Sequence, residues 1–194
     1  MALPKYDKNK RRRSYERLPK DAYVCIIKNV REDENRNKKG THLTIAFDIA
    51  EGEYKGFYQR QFERNTSEDK KWPNDAIFYL TVPDDDSKTF VWDNWNTFFA
   101  DVEDSNDGYA FDGNVKSLKG ELIGGKFHLE QTKYNGKIYN HTRFRWSCVA
   151  DDVRQGKAGE LPDDKLMTPP VPDVPTTPDG FMDIPEGVDE EIPF

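Results

Sequence analysis

Cysteine is scarce in this chain, at two in 194 residues. Cys25 and Cys148 stand far apart, each in an apolar, strand-like run, with no CxxC pair and no His-rich companion. That composition argues against a zinc site. Two buried free thiols in a reducing compartment are expected, with a disulfide left open. Long apolar runs are also missing. None approaches the ~18 residues of a membrane span, and the basic N-terminus is not followed by the apolar stretch of a signal peptide. A cytoplasmic protein without membrane contact is expected. The signatures of phosphate loops, nucleophile elbows and zinc proteases are absent too. Of the three histidines, His42 and His128 have no carboxylate or cysteine at a telling spacing. No catalytic residue, metal or cofactor is expected. The nearest enzymatic alternative is a metal-dependent nuclease built from scattered carboxylates such as Asp48, Glu51 and Glu53, although such acids are ordinarily turn residues.

Charge is present, but unevenly. Residues 151–194 hold 12 Asp/Glu against 3 Lys/Arg and eight of the twelve prolines. Few apolar side chains and high charge cannot offset the entropy of ordering, so 151–194 is expected to be a disordered acidic tail. Residues 1–20 carry eight Lys/Arg and two acids, with Tyr6 and Tyr15 interleaved. They are expected to form a flexible basic arm, either plainly solvated or lying along phosphates. Between these lies a domain at 21–150.

Within that domain, Tyr23 to Val30 is rich in apolar and β-branched residues and predicts a buried strand. Leu43, Ile45, Phe47 and Ile49 alternate with polar positions, which predicts a strand with one face in the core. Phe57 to Arg64 alternates as well and predicts a third strand. Ala76 to Val82 is apolar and reads as extended. Asp84 to Ser87 marks a helix start. Val91, Trp95, Phe98, Phe99 and Val102 then share one helical face over roughly four turns. A strand broken by Gly124-Gly125 leads to Asn135-Gly136, a type I′ hairpin signal. The return strand, Ile138 to Val149, places Phe144, Trp146 and Cys148 on one face. Three strands, a helix and a hairpin is the order of the OB-fold. The expected architecture is therefore all-β: a five-stranded Greek-key barrel with one helix.

Two strand faces opposite the core mix rings with cations: Tyr58, Arg60, Phe62 and Arg64 on one, and Tyr139, His141, Arg143 and Arg145 on the other. Lys71 and Trp72, in the loop after the expected third strand, extend them. An Arg or Tyr on an outer strand face is usually only solvated surface. Two such faces on one small barrel are the composition of a single-strand groove, where bases stack on rings and phosphates meet cations.

The chain closes with Asp189-Glu190-Glu191-Ile192-Pro193-Phe194, an apolar ring on an acidic tether. A partner with a greasy pocket ringed by Lys or Arg would capture the ring, the α-carboxylate and the neighbouring acids. The ring would contribute about 1.5–3 kcal/mol on burial, and the charges would select the partner. This ending resembles the C-terminal tip of bacterial and phage single-stranded-DNA-binding proteins, an acidic run followed by Ile-Pro-Phe. More loosely, Lys70-Lys71-Trp72-Pro73, Gly108-Tyr109-Ala110-Phe111 and Leu118-Lys119-Gly120 before Gly124-Gly125 resemble phage-encoded single-strand-binding proteins of Gram-positive hosts and mobile elements. The resemblance implies coating of single-stranded DNA during replication or recombination, with partner enzymes recruited through the tip, in a bacterial cell or a phage-infected host. A homo-oligomer is compatible with it. Strand annealing and RNA binding share the same surface chemistry and remain alternatives.

Overall fold

A computed structural model describes residues 16–35 and 40–167. The acidic tip at 189–194 and the basic run at 11–13 lie outside the described residues. Among the described residues five strands and three α-helices follow in order: β1 (Ala22–Glu34), β2 (Thr41–Ile49), α1 (Phe57–Arg64), β3 (Ile77–Thr81), α2 (Thr89–Ser105), β4 (Leu122–Tyr134), β5 (Lys137–Cys148) and α3 (Ala150–Arg154). The strands form one antiparallel sheet in the order β3-β2-β1-β4-β5. β1 lies in the middle and pairs with β2 on one side and β4 on the other. The fold is therefore mostly sheet with few helices. No described helix is long and apolar enough to cross a membrane.

Leu43, Ile45, Phe47 and Ile49 are all buried, as their alternation predicts. Phe47 is the hub of an aromatic core, with ring centroids 5.7 Å from Phe127 and 5.3 Å from Phe144. The two edge strands, β3 and β5, face each other through Phe78 and Phe144, whose centroids are 4.7 Å apart. Among the described residues no backbone ladder joins these edges. α2 lies beside them and buries Phe98, Phe99 and Val102, the apolar face read from the sequence. It starts at Thr89, later than expected, because Asp84 and Ser87 close a turn of their own: Ser87 Oγ donates to Asp84 Oδ1 at 2.6 Å.

The expected third strand over 57–64 is a helix. Phe57, Tyr58, Gln61 and Phe62 fit a helical face as well as they fit an alternating strand, so eight residues do not separate the two periods. Gly56, at φ 69°, turns the chain, and the buried Asp48 carboxylate then collects the first helical amides. Asp48 Oδ1 accepts from Tyr58 N at 2.9 Å and Oδ2 from Gln59 N at 3.2 Å. An anion at the amino end of a helix is favoured by the dipole and by the unpaired N–H groups. The strand count stays at five because Ile77–Thr81 supplies the third.

β4 runs unbroken through the glycine pair. A Cβ on Gly125 would collide with the Phe144 ring, and one on Gly124 would lie 2.7 Å from Cys148 Sγ. The glycines are spacers for core side chains rather than a strand break. Asn135 and Gly136 both take positive φ, 47° and 76°, as a type I′ hairpin requires.

Both boundaries of the expected domain move outward. Leu18 is buried, and its carbonyl accepts from the Thr142 hydroxyl. After β5 the chain forms α3, then returns along β4, where Lys165 N donates to Leu129 O at 2.8 Å and Pro162 is fully buried. Arg154 pairs with Glu51 at 2.7 Å, and Lys20 with Asp164 at 2.8 Å. Residues 151–167, expected in the tail, belong to the body, held by backbone bonds that composition does not reveal. Cys25 and Cys148 are free and buried. Burial pushes the Cys148 thiol up to about 11, which removes it as a nucleophile near neutrality.

Candidate nucleic-acid interface

The two expected cationic faces have different fates. The first does not exist as a face. Tyr58 is 1% exposed, its hydroxyl has no hydrogen-bond partner within the described residues, and burial, then the charge of Asp75, raises its pKa well above the usual phenol value. Its ring is not open to a base. Arg60 turns back to donate to the Lys55 carbonyl. The Phe62 ring packs on Trp72, centroids 5.6 Å apart, with Lys70 Nζ 5.1 Å above it. Trp72 is anchored in turn, its indole N–H donating to Phe47 O at 3.1 Å. Phe62 and Trp72 thus pack together against the body. Arg64 and Lys71 remain exposed, but in separate segments.

The second face survives as a strand, but its charges are tied. His141 Nδ1–H donates to Asp75 Oδ1 at 2.9 Å, and the Thr132 hydroxyl lies 2.9 Å from Nε2. Arg143 Nε lies 3.3 Å from Glu130 Oε2 and 3.5 Å from Asp75 Oδ1, an ion pair too poorly aligned for a hydrogen bond. Two carboxylates therefore occupy the basic side chains that period two nominated for phosphates. Tyr139 remains exposed.

A β-bulge decides what happens next. Phe127 pairs with Phe144 but Lys126 pairs with Trp146, so Arg145 is the extra residue. A bulge changes the phase of everything after it. Phe144 stays in the core, whereas Trp146, expected beside it, is 47% exposed. Arg145 is exposed, and its side chain makes no hydrogen bond or ion pair among the described residues.

Arg145 and Trp146 line a cleft of about 510 Å³ between β5, β3 and α2. Tyr79 of β3 and Phe90 of α2, each 59% exposed, line it as well. Asn94, Thr97 and Thr81 add neutral polar groups, and Arg145 is the one charged lining residue among the described residues. Three open rings and a free guanidinium in one cleft can hold unpaired bases and their phosphates. Sequence reasoning missed Tyr79, Phe90 and Trp146. Period two assigned Trp146 to the core through the bulge. Tyr79 was legible only as the polar alternate of Phe78 and Leu80.

Two of the three carboxylates of the nuclease alternative are otherwise engaged: Asp48 holds α1 and Glu51 pairs with Arg154, while Glu53 is exposed. The body as a whole is acidic, since residues 16–167 contain 23 Lys/Arg and 28 Asp/Glu. Residues 1–15 contain six Lys/Arg and one acid, so most of the surplus positive charge precedes the fold. The sequence matches no known protein family and no curated protein.

Proposed function

We propose that the chain binds single-stranded DNA without strong sequence specificity, in replication or recombination, and recruits partner enzymes through Asp189 to Phe194. The observation that carries this reading is the Tyr79–Phe90–Trp146 cleft with Arg145 at its side. Base stacking on rings is indifferent to sequence and contributes about 1–3 kcal/mol per contact. The strand order supports the same reading. β3-β2-β1-β4-β5, with α2 between β3 and β4 and the two edges facing each other, is the connectivity of an OB-type barrel. With an acidic body, the basic N-terminal fifteen residues supply most of the salt-dependent attraction to phosphate.

The test is tryptophan fluorescence on titration with unlabelled oligo(dT), over a range of salt and against duplex DNA. Trp146 and Trp92 are both exposed and can report contact. Saturable quenching by single strands that weakens with salt and is much smaller with duplex supports the function. No response to single strands at low salt overturns it. Deleting residues 189–194 is expected to abolish partner capture and leave the oligo(dT) site size unchanged.

A further inference from the structure

The register shift in β5 sets two of its residues, Arg145 and Trp146, against one residue of β4, Lys126. Residues directly opposed in an antiparallel pair project to the same face, with Cβ atoms about 4.5–5.5 Å apart. Lys126 is therefore the cross-strand neighbour of the exposed indole. It stands outside the lining of the cleft, one strand further on.

The charge of Lys126 is unspent. Its side chain is partly buried and makes no hydrogen bond or ion pair among the described residues. Its Nζ lies 3.5 Å from where Gly159 would carry a Cβ, so the returning chain meets it with no side chain at that point. An ammonium brings three donors, and here all three are open. The Asp101 carboxylate of α2 feels this charge without taking it. Burial, ahead of every other cause, raises the Asp101 pKa, against a Ser147 hydrogen bond and the Lys126 charge. Asp101 Oδ2 has no hydrogen-bond partner among the described residues.

We infer that Lys126 is a second phosphate-binding residue of this site, and that the bound strand leaves the Trp146 cleft across β5 onto β4. The inference rests on the single-strand reading above and gives that strand a path. Arg145 and Lys126 come from neighbouring strands about 4.8 Å apart, with the indole beside both. A base stacked on Trp146 then has a phosphate contact on either flank, which suits the interior of a strand better than its end. The other exits offer less. Towards α2 the polar lining groups, Asn94 and Thr97, are neutral. Beside Tyr79 the basic ring is His42, centroids 5.5 Å apart, and its Nδ1 is already bonded to Asn35 Oδ1 at 2.8 Å.

The experiment measures the oligo(dT) affinity of the full chain across salt for the native protein, Lys126→Gln, Lys126→Arg and Lys116→Gln, each below its own thermal midpoint. Lys116 is exposed and unpaired in the turn at Val115–Leu118, off the inferred path. Lys126→Gln is expected to flatten the slope of log affinity against log salt by about one phosphate contact. Lys126→Arg and Lys116→Gln are expected to keep the native slope. In the native protein, saturating oligo(dT) is expected to slow chemical acetylation of Lys126 and to leave that of Lys116 unchanged. A native slope in Lys126→Gln overturns the inference, as does an equal flattening in Lys116→Gln or a Lys126 acetylation rate indifferent to oligo(dT). Single-strand binding stands in each of those cases. Failure of the native chain to bind oligo(dT) at low salt overturns the single-strand reading itself.

Discussion

The two halves of β5 differ although they belong to one strand. On the hairpin side of Arg145, side chains alternate strictly and the basic side chains have carboxylate partners: His141 with Asp75, Arg143 with Glu130 and Asp75. Past the bulge the alternation shifts, an arginine stands free and a tryptophan faces outward. Arg143 and Arg145 are two residues apart, yet one serves the fold and the other is open to a ligand. Availability, rather than residue type, separates the two arginines, and a single extra residue sets it.

That contrast can be tested from its strongest element down. Phe144 sits at the junction and touches Phe47, Phe78 and Phe127. Phe144→Ala is expected to cost about 3–5 kcal/mol of stability, read by denaturant titration. A loss under about 1 kcal/mol would mean that the two edge strands do not depend on this ring. Trp146→Ala is expected to leave unfolding nearly unchanged and to weaken oligo(dT) binding by about 1–3 kcal/mol. If Trp146→Ala unfolds the protein while binding per folded molecule holds, the indole belongs to the core and the bulge argument fails.

The arginine pair sharpens the comparison. Arg145→Ala is expected to reduce the slope of log affinity against log salt by about one phosphate contact. Arg143→Ala is expected to leave that slope alone and to lower the unfolding midpoint, because Glu130 and Asp75 lose a counter-charge. Equal slopes for the two variants would erase the distinction between the halves. The smallest effect belongs to the turn. Asn135 holds a positive φ, and Asn135→Ala is expected to cost about 1 kcal/mol, with no change in the midpoint of salt-dependent binding.

Much of the fold was legible. The core face of β2, the apolar face of α2 and the Asn135-Gly136 turn were read from spacing alone, because each depends on local pattern and burial. Phe57 to Arg64 was misread because its rings fit two periods and its true partner, the Asp48 carboxylate, precedes it by nine residues in sequence. The site was less legible than the fold. Tyr139 and Arg145 were named and are exposed, but whether a cation is free depends on Asp75 and Glu130, which come from other segments. Trp146 was lost to a bulge, a feature that leaves no mark in a single sequence. The ordered stretch 151–167 was hidden by its tail-like composition; backbone bonds to Leu129 and Gln131 hold it in place.

The seam between β3 and β5 has a consequence for motion. Two strand edges that meet through rings and carry no backbone ladder among the described residues are held by contacts that relax one side chain at a time. Opening there breaks no amide bond, so the cheapest excursion of the molecule parts this seam while the β1–β2 and β4–β5 pairs stay intact. In hydrogen-exchange terms the seam-facing amides of β3 and β5 are the fast class and those of β1 the slow one. The Trp146 cleft lies on the part of the protein most able to breathe, and a strand bound there would be felt first as slower exchange along those two edges.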